Sequence, residues 1–290
     1  MKLLLPIAMF SASACSGPTA PFEDTSEAPA ETLVEHDTDV TDDTDSDRTP
    51  APSTPCPIAG IRSRCFDALT AAFEAVEPGD VIDLAAGVHR GEFIVPPLTE
   101  LTIRGAGAST IVEPSRSGAP VFTVNPTGAL TLETLDVTGA HDASALTASG
   151  EGARLTLRAV TVRDNVAPIG AGVFADEGAS VMILQSRLER NRATSEGGGL
   201  ALLGGATAVL VDCVLTGNTA SGGGGGAWLH ARGEQATLLT SHRSDWGTGP
   251  TDNTPQDAYL VHEAGTVEQI AVESLDASRF TCGARSQRCL

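Results

Sequence analysis

Leu155-Thr156-Leu157-Arg158-Ala159-Val160-Thr161-Val162-Arg163-Asp164-Asn165 is followed by Gly170-Ala171-Gly172 and then Val173-Phe174, and the same order of parts is written twice more downstream. The second copy runs from Val181-Met182-Ile183 through Leu188-Glu189-Arg190-Asn191 to Gly197-Gly198-Gly199-Leu200. The third is Leu210-Val211-Asp212-Cys213-Val214-Leu215-Thr216-Gly217-Asn218, then the glycines Gly222 to Gly226, Ala227 and Trp228. Each copy reads strand, asparagine, glycines, strand, and a fixed period of about 26 residues is the mark of a repeat architecture.

Two architectures share that period. Leu157-x-x-Val160-x-Val162-x-x-Asn165 fits the strand signature of a leucine-rich repeat. Such a repeat would follow its asparagine with a leucine-spaced helical segment, whereas here glycines, which are poor helix formers, lead into a second short β-type run. The pattern therefore predicts an all-β, right-handed parallel β-helix, a solenoid whose coils stack so that equivalent positions form columns. Asn165, Asn191 and Asn218 would form a structural ladder at one bend, since asparagine tolerates left-handed backbone and its amide both donates and accepts. Inward-pointing Leu155, Leu157, Val160 and Val162 have counterparts in Leu130, Leu132, Leu135 and Val137.

Lys2, the apolar run Leu3 to Phe10 and the small residues up to Ala14 read as a signal peptide over 1–14, so export is expected. Ala12-Ser13-Ala14-Cys15 resembles a bacterial lipobox, which implies lipidation of Cys15 and a membrane contact through that anchor only. The same residues also satisfy an A-x-A site for ordinary secretory cleavage. From 15 to 55 the composition turns to Pro, Ser, Thr, Ala, Asp and Glu, the signature of a disordered linker. Its Asp37, Asp39, Asp42, Asp43, Asp45 and Asp47 contribute to a formal net charge of −19. The linker lacks the turn glycine and closing glutamate of an EF-hand, so a self-repelling tether is the simpler reading. The negative balance argues against a nucleic-acid partner.

Residues 56–290 read as the β-helix domain with a cap at each end. Phe66, Leu69, Ala72, Phe73 and Val76 fall at helical spacing before Pro78-Gly79, which predicts an amphipathic helix over Cys65 to Glu77 covering the first coil. Strand-like runs follow at Val81 to Leu84, Phe93 to Val95 and Leu101 to Arg104. Cys56 with Cys65 and Cys282 with Cys289 are two close pairs, each suited to a disulfide that staples a cap, and Cys213 falls at an inward position. Beyond Trp246 the repeat breaks into a turn-rich loop, with strands expected at Ala258 to His262 and Val267 to Val272.

Glu77-Pro78-Gly79-Asp80-Val81-Ile82-Asp83-Leu84, Gly87 and Leu101-Thr102-Ile103-Arg104-Gly105-Ala106-Gly107 together resemble the opening of pectin-lyase-like β-helix proteins. The later rungs resemble the repeats of the chlamydial polymorphic outer-membrane proteins, where an F-x-x-N element pairs with G-G-A and an aliphatic residue. Val162-Arg163-Asp164-Asn165, Leu188-Glu189-Arg190-Asn191 and Leu215-Thr216-Gly217-Asn218 stand for the first element. Gly170-Ala171-Gly172-Val173, Gly197-Gly198-Gly199-Leu200 and Gly225-Gly226-Ala227 stand for the second. The resemblance spans most of Cys65 to His262 and implies the fold. Because this fold hosts lyases, hydrolases, adhesins and passive stalks, function has to be read from the surface.

Outward positions should form columns: Glu133, Arg158, Leu184, Val211 and Leu239 in one, Thr131, Thr156, Met182, Val209 and Thr237 in the next. The face is charged early and apolar late, and contiguous apolar residues on an outer face imply a cover. The expectation is that the segment after Trp246 folds over it. The alternative is that Arg158, Met182, Leu184, Arg187, Val209 and Val211 line a groove for a ligand or partner. Lyases on this fold hold calcium with carboxylates and abstract a proton with Arg or Lys, which by resemblance makes Glu133, Asp136, Arg158, Arg163, Arg187 and Glu189 candidates. Opposite charges on neighbouring coils, as with Arg163 and Glu189, are more simply surface ion pairs.

The paired-aspartate and G-H-G elements of the polygalacturonases are missing, Asp42-Asp43 in the linker being the one Asp-Asp. His89 reads as structural, and no motif sets a nucleophile beside His141-Asp142. His230 and His242 lack zinc spacing. Gly222 to Gly226 lack the Lys-Ser/Thr that closes a phosphate loop, so they read as a coil corner. No catalytic, metal or cofactor site is assigned. Trp228 and Trp246 are read as packed under the C-terminal loop in preference to stacking on sugars. The function expected is an exported, lipid-anchored protein of the outer membrane or cell surface that binds a polysaccharide or a surface protein without catalysis. The alternatives are a polysaccharide lyase or glycoside hydrolase acting on an acidic polysaccharide, and a structural surface component.

Overall fold

The computed structural model describes residues 56–60, 64–231, 236–261, 268–274 and 280–282, the last two by their backbone. The expected signal peptide, Cys15, the acidic linker and Cys289 lie outside the described residues. Period-two alternation lays down short strands, and the repeat returns each beside its counterpart: Leu130 pairs in parallel register with Leu155, Leu155 with Val181, and Val181 with Ala208. The result is a parallel β-solenoid with a nine-stranded, an eight-stranded, a six-stranded and a three-stranded sheet. One coil, as an example, places Arg154–Arg158 in the nine-stranded sheet, Thr161–Arg163 in the six-stranded, Val166–Ile169 in the three-stranded and Val173–Asp176 in the eight-stranded. Leu155, Leu157, Val160, Val162, Val173 and Ala175 all point into one continuous core. Each large side chain so buried contributes about 1.5–3 kcal/mol.

The three-stranded sheet is an addition to the sequence reading. Val166–Ile169, Arg192–Glu196 and Thr219–Ala220 fill the interval between asparagine and glycines. Their alternation is weak, because only one residue of each of the first two, Ala167 and Ala193, is buried.

At the N-terminal end the helix (α1) is shorter than its periodicity predicts, spanning Leu69–Glu74. Phe66 is held in an antiparallel bridge to Ile58, its N–H donating to the Ile58 carbonyl at 2.9 Å, so the chain before Leu69 is extended. Leu69 and Ala72 are buried, and Phe73 packs its ring 5.0 Å from Phe93 and 6.4 Å from Phe122. These contacts cover the core of the first coils. Cys56 and Cys65 are joined in a disulfide, tying the strand Ile58–Ala59 to the start of the helix.

Asn165, Asn191 and Asn218 are fully buried and stack in successive coils. The Asn165 Nδ2 donates to Asn191 Oδ1 at 3.0 Å, and the Asn191 Nδ2 to Asn218 Oδ1 at 3.0 Å. Asn253 extends the ladder, accepting from Asn218 Nδ2 at 3.0 Å. The left-handed residue of the bend is the one before each asparagine: Asp164, Arg190 and Gly217 have φ of 56°, 50° and 64°. The asparagines themselves are selected for their amides, which saturate backbone groups inside the turn, and tolerance of left-handed backbone is not what the position asks of them.

The segment after Trp246 takes a different course from the one expected. It builds the next coil: Thr254 bridges Thr219, the Ala220 N–H donates to the Thr254 carbonyl, and Ala258–Val261 adds to the eight-stranded sheet beside Ala227–His230. Glu268–Ser274 continues the nine-stranded sheet. Trp246 is inside the core, its Nε1 donating to Ser241 Oγ. Trp228 is buried on the outer side of the eight-stranded sheet with Phe174, Ala201, Leu203 and Tyr259, so neither indole is a sugar platform. Within Gly222 to Gly226 the chain passes close to other backbone: a Cβ on Gly225 would lie 2.3 Å from the Thr254 carbonyl oxygen. The run is a coil corner.

Candidate functional site

Outward positions of the nine-stranded sheet start from two rows. One row is Asp83, Arg104, Glu133, Arg158, Leu184, Val211 and then His242. The other is Thr102, Thr131, Thr156, Met182, Val209 and then Thr240. Leu239 and Thr237, which the sequence puts at the ends of these rows, are buried. The coil from Val211 to His242 spans 31 residues against 27 from Leu184 to Val211, which puts His242 and Thr240 three residues beyond the expected Leu239 and Thr237.

No described segment covers the apolar end of this face. Met182 is 43% exposed and Val209 is 36% exposed, side by side in register. Leu184 and Val211 beside them are half-buried, and with Glu133, Arg158, Gln185 and Asp212 they line a hollow of about 310 Å³ at the corner toward the six-stranded sheet. Arg187 is not part of it. It belongs to the six-stranded sheet, where it pairs with Glu189 two residues along its own strand.

Charges on the first row form a ladder across coils. Arg104 reaches Asp83 at 3.4 Å and Glu133 at 3.1 Å, and Arg158 stands 3.9 Å from the other oxygen of Glu133. On the six-stranded sheet Arg163 pairs with Asp136 at 3.1 Å and with Asp164 at 2.9 Å, while Arg190 grips Asp164 with two nitrogens at 2.8 and 3.0 Å. Arg163 and Glu189 lie opposite each other in register, yet their partners are these and not one another. Asp164 and Arg190 have left-handed backbone at the bend, and the Asp164 carboxylate lies 2.9 Å from Arg163. Hydrogen bonds from Arg190, and then from Arg163, hold the Asp164 carboxyl below its usual range. Asp164 and Asp136 in turn raise Arg163, keeping its proton on. That is the opposite of what a proton-abstracting base requires.

A second hollow, of about 360 Å³, lies on the charged half of the same face and was not read from the sequence. Asp80, Glu100, Thr102, Thr131, Arg154 and Thr156 line it. Glu100, Ala129 and Arg154 are consecutive in register, so the small Ala129 leaves a notch between a carboxylate and a guanidinium. Thr102, Thr131 and Thr156 form its floor, spaced by the ladder interval of about 4.8 Å. Among the described residues, Glu100 and Arg154 have no ion-pair partner, and the three threonine hydroxyls no hydrogen-bond partner. Asp80 accepts from the Glu77 N–H at 2.8 Å.

His89 and His141 fall elsewhere. His89 Nε2 is 3.0 Å from the Ala85 carbonyl, a structural bond, and Asp142 accepts from Ser117 Oγ, with no contact among the described residues that would orient His141. Cys213 is buried in the core, where loss of water pushes its thiol up, and its Sγ donates to the Ile183 carbonyl.

No protein-family model matches this chain, and no curated protein does. Among solved structures the chain is similar to a variant of a PL6-family alginate lyase at 14% identity and a TM-score of 0.38, over 74% of this chain. It spans 37% of the length of that lyase. It is also similar to a pectin methylesterase from Yersinia enterocolitica, at 12% identity and a TM-score of 0.36, over 73% of this chain and 82% of that one. Both neighbours are too remote for their chemistry to be carried across.

Proposed function

We propose that this chain is an exported, non-catalytic binding protein, held at a cell surface through a lipid on Cys15, and that it takes a polysaccharide strand along the outer face of its nine-stranded sheet. One observation carries the reading: the hollow between Gly79 and Thr156 presents hydroxyls, a carboxylate and a guanidinium that the fold leaves unpaired. An unpaired polar group in a hollow is ready to exchange its water for a ligand hydroxyl, and hydrogen bonding of this kind is how sugars are held when no aromatic platform is present. The groups that could have done acid–base work are instead spent on each other, as Asp136, Arg163, Asp164 and Arg190 are. A second reading, a protein partner, is favoured by the exposed pair Met182 and Val209.

The test is to pass neutral and acidic polysaccharides over the immobilised protein, with and without calcium, while measuring newly formed unsaturated and reducing ends. Retention without products is expected, and retention of an acidic polysaccharide should weaken by about two- to fivefold in Arg154→Ala and stay unchanged in Met182→Ala. Calcium-dependent products would make the chain a lyase. Failure to retain any polysaccharide would refute the reading and leave a protein partner or a structural role.

A further inference from the structure

The hollow between Glu100 and Arg154 carries more information than a preference for hydroxyls. Its two ends have opposite charge. Glu100 stands at one end and Arg154 at the other, two coils away, or about 9.5 Å along the ladder. Elsewhere on this sheet, opposite charges in register neutralise each other through contacts between adjacent coils, as Asp83, Arg104 and Glu133 do. Here Ala129 occupies the intermediate coil, so Glu100 and Arg154 are held apart and each faces the notch. A single ion of either sign would satisfy one end and be repelled by the other.

We infer that the hollow selects a zwitterionic saccharide unit, with a free amine toward Glu100, an anionic group on Arg154, and hydroxyls on Thr102, Thr131 and Thr156. The inference rests on the polysaccharide reading above and adds the charge pattern of the repeat. A guanidinium suits a carboxylate or phosphate oxygen pair, and an ammonium is a compact donor that a carboxylate can hold. A polymer carrying only acids gains at Arg154 and loses at Glu100, which sets the zwitterion apart from both an acidic and a neutral chain.

The experiment uses one polymer in three forms: N-deacetylated hyaluronan, whose repeat carries a free amine and a carboxylate, native hyaluronan, in which the amine is acetylated, and carboxyl-reduced N-deacetylated hyaluronan. The full chain should retain the zwitterionic form, with each neutralised form weaker by about two- to fivefold, the span expected of one exposed charge contact. Glu100→Gln should abolish discrimination against the acetylated form and leave discrimination against the reduced form. Arg154→Ala should do the reverse, while thermal unfolding of both variants stays at the parental midpoint. Equal retention of all three forms overturns the charge selection and leaves the polysaccharide reading standing. Failure to retain any form at about millimolar repeat concentration overturns the inference. Failure of the neutral and acidic panel as well removes the polysaccharide reading with it.

Discussion

Replacing Asn191 with leucine should cost this fold more than any change on its surface. The side chain is fully buried and makes four hydrogen bonds. Its Oδ1 accepts from the Asn165 N–H at 3.3 Å and from the Asn165 Nδ2 at 3.0 Å. Its Nδ2 donates to the Val162 carbonyl at 2.9 Å and to Asn218 Oδ1 at 3.0 Å. Leucine has nearly the same shape, so little cavity results and the loss is one of hydrogen bonding. Four bonds at about 1 kcal/mol each, with the stranded Asn165 N–H toward the upper end of the 1–3 kcal/mol range, give about 4–6 kcal/mol. That is a large part of the 5–15 kcal/mol typical of a folded domain, so the urea midpoint should fall steeply at an unchanged slope. Thr131→Val, on the outer face, should stay within about 0.5 kcal/mol. A loss below about 1.5 kcal/mol for Asn191→Leu would mean that the ladder amides are replaceable by apolar packing, and the account of this bend would be wrong.

Other consequences follow from single contacts. Gly198 has no need of left-handed backbone, yet a Cβ there would stand 2.5 Å from the carbonyl oxygens of Gly225 and Thr219, so Gly198→Ala should destabilise by about 1–3 kcal/mol through coil separation alone. Arg190 is the first cause of the depressed Asp164 carboxyl. Since the folded-state value lies below the unfolded one, the pair stabilises above the ordinary carboxylate range and loses that contribution as pH falls through the depressed value. In Arg190→Ala the carboxyl resonance of Asp164 should titrate at higher pH than in the parent, and an unmoved titration would show that Arg163 alone sets it. The Cys213 thiol, pushed up by burial, should react with a thiol reagent only at the rate of unfolding. Prompt labelling of the native protein at Cys213 would place that side chain outside the core.

The fold was legible because a β-solenoid writes its geometry as a period. Leu155, Leu157, Val160 and Val162 needed only alternation to be placed inward, and the coil before them followed by counting back. Where the period breaks, counting fails. Asn253 carries the ladder from a distance of 35 residues, hidden in a stretch of turn residues, and its signal was the asparagine beside a glycine-rich corner and not its spacing. The same lengthening moved His242 and Thr240 into rows where Leu239 and Thr237 were expected. Ion-pair partners were illegible for another reason. Arg163 takes Asp136 and Asp164, while Glu189, opposite it in register, is held by Arg187 and Arg190, a choice that spacing alone does not reveal. The hollow at Ala129 could be found only with the register in hand, because its two ends, Glu100 and Arg154, are far apart in the chain and lie on strands two coils apart.

The central claim, that a ligand strand lies along the outer face of the nine-stranded sheet, is tested most directly by hydroxyl-radical footprinting of the full chain with and without a retained polysaccharide. Met182, exposed on that face beside Thr156 in register, and Ile94, exposed on the eight-stranded sheet, report in the same sample. Oxidation of Met182 should slow on binding, with that of Ile94 unchanged. Protection of Ile94 with Met182 still reactive would contradict the claim.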